Sequence, residues 1–152
     1  MAGNNDKITR TIRNMKLHER VFTLDFGVDL DTFKPTPFPK KFIVGWIGHQ
    51  GRKLKRYKMA VEACKKAGVP LRVAGHIYGK NYIPHKQMPR FYKDVSCLLI
   101  TSESEAHPLI YPEALASGRP VVSTLVGDIP KTAKNGKNGF YFSSQMHSKP
   151  DS

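Results

Sequence analysis

Thr101-Ser-Glu-Ser-Glu105-Ala-His107-Pro-Leu-Ile-Tyr-Pro-Glu113-Ala-Leu-Ala-Ser-Gly118-Arg-Pro-Val-Val122 decides how the rest of the chain is read. An apolar run, Cys97 to Ile100, leads into small polar residues and a loop carrying acids and a histidine. A short helical stretch, a glycine stop and a second apolar run follow, so the order is strand, loop, helix, strand. In an open parallel sheet, ligands bind beyond the carboxyl ends of the strands. Glu105 and Glu113 bracket the helix start, and this is where a ligand is expected.

Outward from that segment the same alternation repeats. Lys41 to Ile47 is a continuous apolar run of the kind buried on both faces of a parallel sheet. Gly48-His-Gln-Gly51 breaks it, and the basic stretch 52–58 leads into a helix predicted to reach about Ala67. Gly68-Val-Pro70 stops that helix, with glycine after the last turn and proline beyond. Leu71 to Gly75 is the next strand, making 41–75 a βαβ unit of ordinary length. A loop then runs from His76 to His85, followed by a short helix over Lys86 to Lys93 and a strand over Val95 to Ile100. Beyond the opening segment come a helix over 109–117, a strand over Val121 to Thr124 and a short helix capped by Asp128. Asn135-Gly136 and Asn138-Gly139 are turn signals before a last strand, Phe140 to Phe142.

Before residue 41 the pattern is different. Ile8, Ile12 and Met15 recur at helical spacing and predict an amphipathic helix, with Asn5 or Asp6 as its cap. Val21 to Phe26 alternates apolar and polar side chains as a strand does. Pro35, Pro37 and Pro39 give an extended linker, because each proline pushes its predecessor out of the helical region. The expected organisation is a helix, strand and hinge over 1–35, a Rossmann-like domain over 36–143 and a polar tail over 144–152. The fold class is α/β, an open parallel sheet with helices on both faces. Right-handed crossovers place loops 48–55, 75–85, 101–108 and 124–129 on one rim.

The 152 residues suit one domain with a real core. Lys and Arg number 25 against 12 Asp and Glu, a formal net charge of +13. Nucleic acid, an anionic membrane surface and a phosphorylated small molecule all fit such a charge. Five of the eight residues in 51–58 are basic, yet no reader helix, stacking aromatics or zinc pattern accompanies them. Nucleic acid is therefore the weaker alternative, as a non-enzymatic basic α/β module. No run reaches the roughly 18 apolar residues of a membrane span, and the first residues lack the apolar core of a secretory signal. A cytoplasmic protein is the expectation. Cys64 and Cys97 are read as buried reduced thiols.

Taken singly, the candidate site residues keep more than one reading. Gly48-His49-Gln50-Gly51 fits a phosphate-binding βα turn, or a tight turn before a solvated basic face. Arg52, Lys53 and Lys55 stand within reach of a diphosphate there. Glu105 and Glu113 suit acid/base work, acceptance of hydrogen bonds from hydroxyls, or the ordinary preference of acids for helix starts. His49, His76 and His107 fall on the predicted rim, and Trp46 belongs to the core.

The combination resembles the retaining, nucleotide-sugar-dependent glycosyltransferases of GT-B architecture known as group 1. Three stretches carry the resemblance. Gly27-Val-Asp-Leu-Asp-Thr-Phe33-Lys-Pro35 is similar to that family's hinge into its C-terminal, donor-binding domain. Glu105 and Glu113 stand in its E-x7-E spacing, followed by Ala-Leu-Ala-Ser-Gly118-Arg-Pro-Val-Val122. Gly127-Asp-Ile-Pro130 and Asn135-Gly-Lys-Asn-Gly-Phe140 match its closing portion. The similarity runs over about residues 20–142.

That resemblance implies a donor-binding half-domain for a UDP- or GDP-sugar. Glu105 would lie beside the donor sugar, with Lys55 and Arg52 stabilising the leaving diphosphate, and these three are the implied catalytic groups. Glu113 would bind ribose hydroxyls. Gly48, His49, Gly51, His76 and the helix entrance His107, Pro108, Leu109 and Ile110 complete the implied donor site. The resemblance implies no cofactor and no metal, since bases and helix dipole take that role. It also implies an acceptor domain, present in such enzymes but not visible here, with a separate chain or an anionic membrane surface as compatible partners. Departures are His49 where the family carries arginine, Ala106 for glycine, Lys131 for an acid, and a short segment between the second and third strands.

Overall fold

The computed structural model describes residues 2–3, 6–16, 18, 20–24, 26–75 and 81–143. Two parallel sheets are present among them. The smaller pairs β1 (Ala2–Gly3) with β2 (Phe22–Thr23), joined through α1 (Asp6–Asn14). The larger contains β3 (Val44–Gly48), β4 (Leu71–Gly75), β5 (Cys97–Ile100), β6 (Val121–Thr124) and β7 (Gly139–Phe142). Its spatial order is β4-β3-β5-β6-β7, with every neighbour parallel. The remaining helices are α2 (Tyr57–Ala67), α3 (Met88–Lys93), α4 (Ile110–Ala116) and α5 (Ile129–Thr132).

The sheet is Rossmann-like, and side-chain alternation along β5 divides its two cores. Leu98 and Ile100 face a core completed by Phe33, Phe91, Tyr92, Val95, Ala114 and Ile129. Cys97 and Leu99 face the opposite side, with Val44, Trp46, Ala60 and Cys64. Helices therefore cover both faces, as the apolar runs require. Both cysteines are buried free thiols. In a sheet of this order the strand order reverses between β3 and β5, and the crevice at such a switch point is where ligands sit.

The hinge has a physical reason for its residues. Asp29 accepts hydrogen bonds from the amides of Asp31 at 2.9 Å and Thr32 at 3.3 Å, and from Thr32 Oγ1 at 2.5 Å. These bonds hold its carboxyl below the ordinary carboxylate range. The turn they fix delivers Phe33 into the core, 2% exposed, with its ring edge against Tyr92. Beyond it, the proline linker is stapled by Arg119. The buried guanidinium donates to Thr36 O at 2.9 Å, Thr36 Oγ1 at 2.5 Å, Pro37 O at 2.9 Å and Tyr92 O at 2.7 Å.

Several expectations are corrected. The basic stretch leads into the helix but lies mostly outside it. Lys53–Lys55 form a 3₁₀ turn, Arg56 takes a left-handed φ of 49°, and α2 starts only at Tyr57. The first strand of the large sheet begins at Val44 rather than Lys41, because its partner β4 begins at Leu71 after Pro70. In α1 the residue that packs inward is Thr9, which accepts from Thr23 Oγ1 at 3.0 Å, while Ile8 is partly exposed and Met15 largely so. Asp128 sits at the start of α5 without capping it. His76 lies outside the described residues.

Candidate functional site

The loops that follow β3, β5 and β6 interlock at the switch point. Thr101, the first residue after β5, accepts from Trp46 Nε1 at 3.1 Å and donates to Lys55 O at 2.8 Å. Glu103 N donates to Leu54 O at 2.8 Å, and the Glu103 carboxylate pairs with Arg56 at 3.1 Å. Thr124 Oγ1, at the end of β6, donates to Ser102 O at 2.6 Å. Two of the five bases in the basic stretch are thereby engaged with glutamates, Arg56 with Glu103 and Lys55 with Glu105.

Lys55 and Glu105 form a half-buried ion pair directly across the switch point. Ser102 Oγ also donates to Glu105 Oε1, at 2.7 Å, so among the described residues both bonds to this carboxylate fall on one oxygen. Gly48 packs closely on the Trp46 ring beside the lysine. Its φ is +154°, and a Cβ there would stand 3.1 Å from the Trp46 ring and 3.5 Å from Lys55 Cδ. Lys7, Ile8, Thr11 and Ile12 of α1 face Ser104, Glu105 and Ala106 across a cleft of about 350 Å³. The amino-terminal helix thus walls the side of Glu105 away from the sheet.

Glu113 is held separately. Tyr92 OH donates to its Oε2 at 2.8 Å, and His85 Nε2 lies 3.0 Å from its Oε1. The Glu113 side chain is 8% exposed and that of His85 71%, so a buried carboxylate is met by a solvent-facing imidazole. Burial, with the neighbouring carboxylate adding to it, raises the Tyr92 phenol well above its ordinary range and keeps it a donor.

The remaining sequence candidates are placed as follows. His49 turns back on its own loop, its Nδ1 accepting from Gly51 N at 3.1 Å and its carbonyl from Arg52 N at 3.1 Å. The Gly51 amide is therefore capped by His49, and the Arg52 side chain is exposed. His107 is buried, with Nδ1 against Asp128 Oδ2 and its ring edge on Phe26, centroids 4.9 Å apart. Its Nε2 has no hydrogen-bond partner among the described residues. Gly127, φ +59°, permits this approach, since a Cβ would meet Ala106 O at 2.9 Å and Pro108 Cδ at 3.0 Å. Pro108 has no amide hydrogen to offer an anion. Leu109 precedes α4, which Ile110 opens, and Tyr111 N donates to Pro108 O at 2.9 Å.

Tyr92, His85, Thr101 and Ser102 were not reached from the sequence as site residues. The one available signal was Tyr92, an aromatic with a polar tip, which when buried needs a partner for its hydroxyl.

The Rossmann-like domain thus pairs Lys55 with Glu105 at its switch point and holds Glu113 separately through Tyr92 and His85. The chain belongs to the glycosyl transferases group 1 family, whose model matches residues 42–149. It is similar to the D-inositol 3-phosphate glycosyltransferase of Streptomyces scabiei, 29% identical over 79 residues, 52% of this chain and 18% of that protein. Its fold matches the crystal structure of TarM with a TM-score of 0.77 at 22% identity, covering 95% of this chain and 33% of that one. It also matches Anabaena HepE in complex with UDP and glucose, TM-score 0.73 at 16% identity, covering 93% and 48%. The chain thus spans a minor part of the length of each of these relatives. No described helix is long and apolar enough to cross a membrane.

Proposed function

We propose that this domain binds the nucleotide-diphosphate sugar donor, a UDP- or GDP-sugar, for a retaining glycosyl transfer, as the C-terminal half of a GT-B enzyme. The observation that carries the reading is the Lys55–Glu105 ion pair across the β3/β5 switch point. Membership of the group 1 family supports it, as do the UDP complexes of HepE and of S. aureus TarM.

In this reading the Lys55 ammonium, with three N–H donors, keeps Glu105 while reaching a phosphate oxygen. Exposed Arg52 adds a second cation, so charge developing on the leaving diphosphate is met by preorganised bases without a metal ion. Oε2 of Glu105, away from Lys55 and Ser102, is the oxygen presented to the donor sugar. The turn entering α4 approaches the phosphates, and Glu113 accepts from ribose hydroxyls. The cleft between α1 and Glu105 leads toward the acceptor. Transfer then calls for an acceptor domain, and the excess of basic side chains suits a membrane-borne acceptor on an anionic surface.

Isothermal titration with UDP and GDP tests the reading. One of the two should bind, and Glu113→Ala should weaken that binding by about tenfold or more, as expected for loss of hydrogen bonds to a charged group. Absence of binding by both nucleotides, or equal binding by Glu113→Ala and the parent chain, rejects it.

A further inference from the structure

Glu113 is unusual among the described acids in being held at both oxygens by ring side chains from one neighbouring segment. Tyr92 OH donates to Oε2 at 2.8 Å from the buried side, and His85 Nε2 meets Oε1 at 3.0 Å from the rim. The two partners come from α3 and the turn that precedes it. The His85 ring is itself steadied by the edge of Phe33, centroids 5.6 Å apart, although its side chain is 71% exposed.

An ionised carboxylate has about four lone-pair sites, two on each oxygen. With one site on each oxygen taken, one on each is left, and the plane of the group is fixed by two bonds from different directions. That is the acceptor pattern a vicinal diol needs, one hydroxyl to each oxygen. For His85 to donate, its Nε2 carries the hydrogen. Nothing in the packing of the core requires this imidazole: its exposure means that deleting it empties no cavity.

We propose that His85 is a positioning residue for ribose recognition, orienting Glu113 so that both of its oxygens accept from the 2′ and 3′ hydroxyls of the donor nucleotide. The inference rests on Glu113 as the ribose-binding group, and it adds a residue outside the E-x7-E segment on which discrimination of ribose from deoxyribose depends. Tyr92 anchors the carboxylate from within, and His85 sets the oxygen nearer the solvent.

The test is titration of the described chain with UDP and GDP and with their 2′-deoxy and 3′-deoxy analogues. The parent should bind a ribonucleotide better than at least one deoxy analogue. His85→Ala should lose about five- to tenfold in ribonucleotide affinity, the scale of one oriented hydrogen bond to a charged group, with deoxy affinity nearly unchanged. His85→Gln, whose amide can still donate to Oε1, should keep most of the discrimination, and both variants should melt as the parent does. Unchanged discrimination in His85→Ala overturns the inference, as does an equal loss for ribo- and deoxynucleotides or a gain in affinity. Those results leave the donor-site reading standing if Glu113→Ala still weakens binding by about tenfold or more. If the parent binds no nucleotide, or Glu113→Ala binds like the parent, the donor-site reading fails and His85 positioning fails with it.

Discussion

Trp46 and Thr101 meet between β3 and the loop after β5, where the indole Nε1 donates to Thr101 Oγ1 at 3.1 Å and the hydroxyl passes its own hydrogen to Lys55 O at 2.8 Å. One hydroxyl therefore ties a buried strand residue to the backbone that carries the site lysine. Thr101→Val removes donor and acceptor together while keeping volume, leaving the buried indole N–H unpaired. The expected cost is about 1–3 kcal/mol, measured by urea denaturation. Thr101→Ser should recover most of it. Nucleotide affinity should fall in the valine variant even where the protein is fully folded, because Lys55 loses its anchor.

Arg119 makes four hydrogen bonds that join α3 to the proline linker, and its side chain is buried. Deleting it leaves the carbonyls of Tyr92, Thr36 and Pro37 without that donor. Arg119→Ala should destabilise the domain by about 2–4 kcal/mol, and Arg119→Lys should recover little, since a point ammonium cannot match the planar fork. Thermal melting of both variants decides. A lysine variant as stable as the parent would show that charge, not fork geometry, matters there.

What was legible in the sequence follows the range of the interactions involved. β6 coincides with its predicted bounds, because an apolar run between Pro120 and Gly127 has only one way to be buried. The end of α2 at Gly68 was readable from local stop signals as well. Its start was not: Arg56 is held left-handed in a loop whose bases pair with Glu103 and Glu105, a tertiary demand that overrides helix propensity. Lys55 and Glu105 were found as candidates because each lies just past a strand end. The partners of Glu113 were not, since Tyr92 and His85 stand 21 and 28 positions away and only the fold brings them together. Arg119 carries no signal of its own in the sequence, since its partner Thr36 lies 83 positions upstream.

Alkaline pH should destabilise the domain in a definite order. Burial pushes the Cys97 thiol from its ordinary 9.0 up to about 11. The unfolded chain loses that proton first, so between pH 9 and 11 it binds fewer protons than the native state and stability falls as pH rises. The loss from this group reaches roughly 1–3 kcal/mol by pH 11. Tyr92 and Tyr141, both raised chiefly by burial, act in the same sense above pH 10. Urea midpoints at pH 8, 9.5 and 11 should decline steadily in the parent, and Cys97→Ala should remove the earliest part of the decline.

Lys55 and Glu105 should respond to substitution with opposite signs. The lysine faces two anions in the donor complex, the carboxylate already paired with it and the incoming diphosphate. Lys55→Ala removes the cation, leaves Glu105 half-buried with only Ser102 beside it, and should weaken UDP or GDP binding by about ten- to a hundredfold. Glu105→Gln keeps the shape and the Ser102 contact but removes a negative charge near the phosphates. Binding of the free nucleotide diphosphate should then tighten by about two- to fivefold, the scale of one charge interaction in a partly solvated site. Transfer by an assembled enzyme should be lost in the same variant, because the carboxylate faces the donor sugar. Titration of the two variants side by side measures this. If Glu105→Gln weakens binding as Lys55→Ala does, the carboxylate contacts the nucleotide directly and does not compete for the lysine.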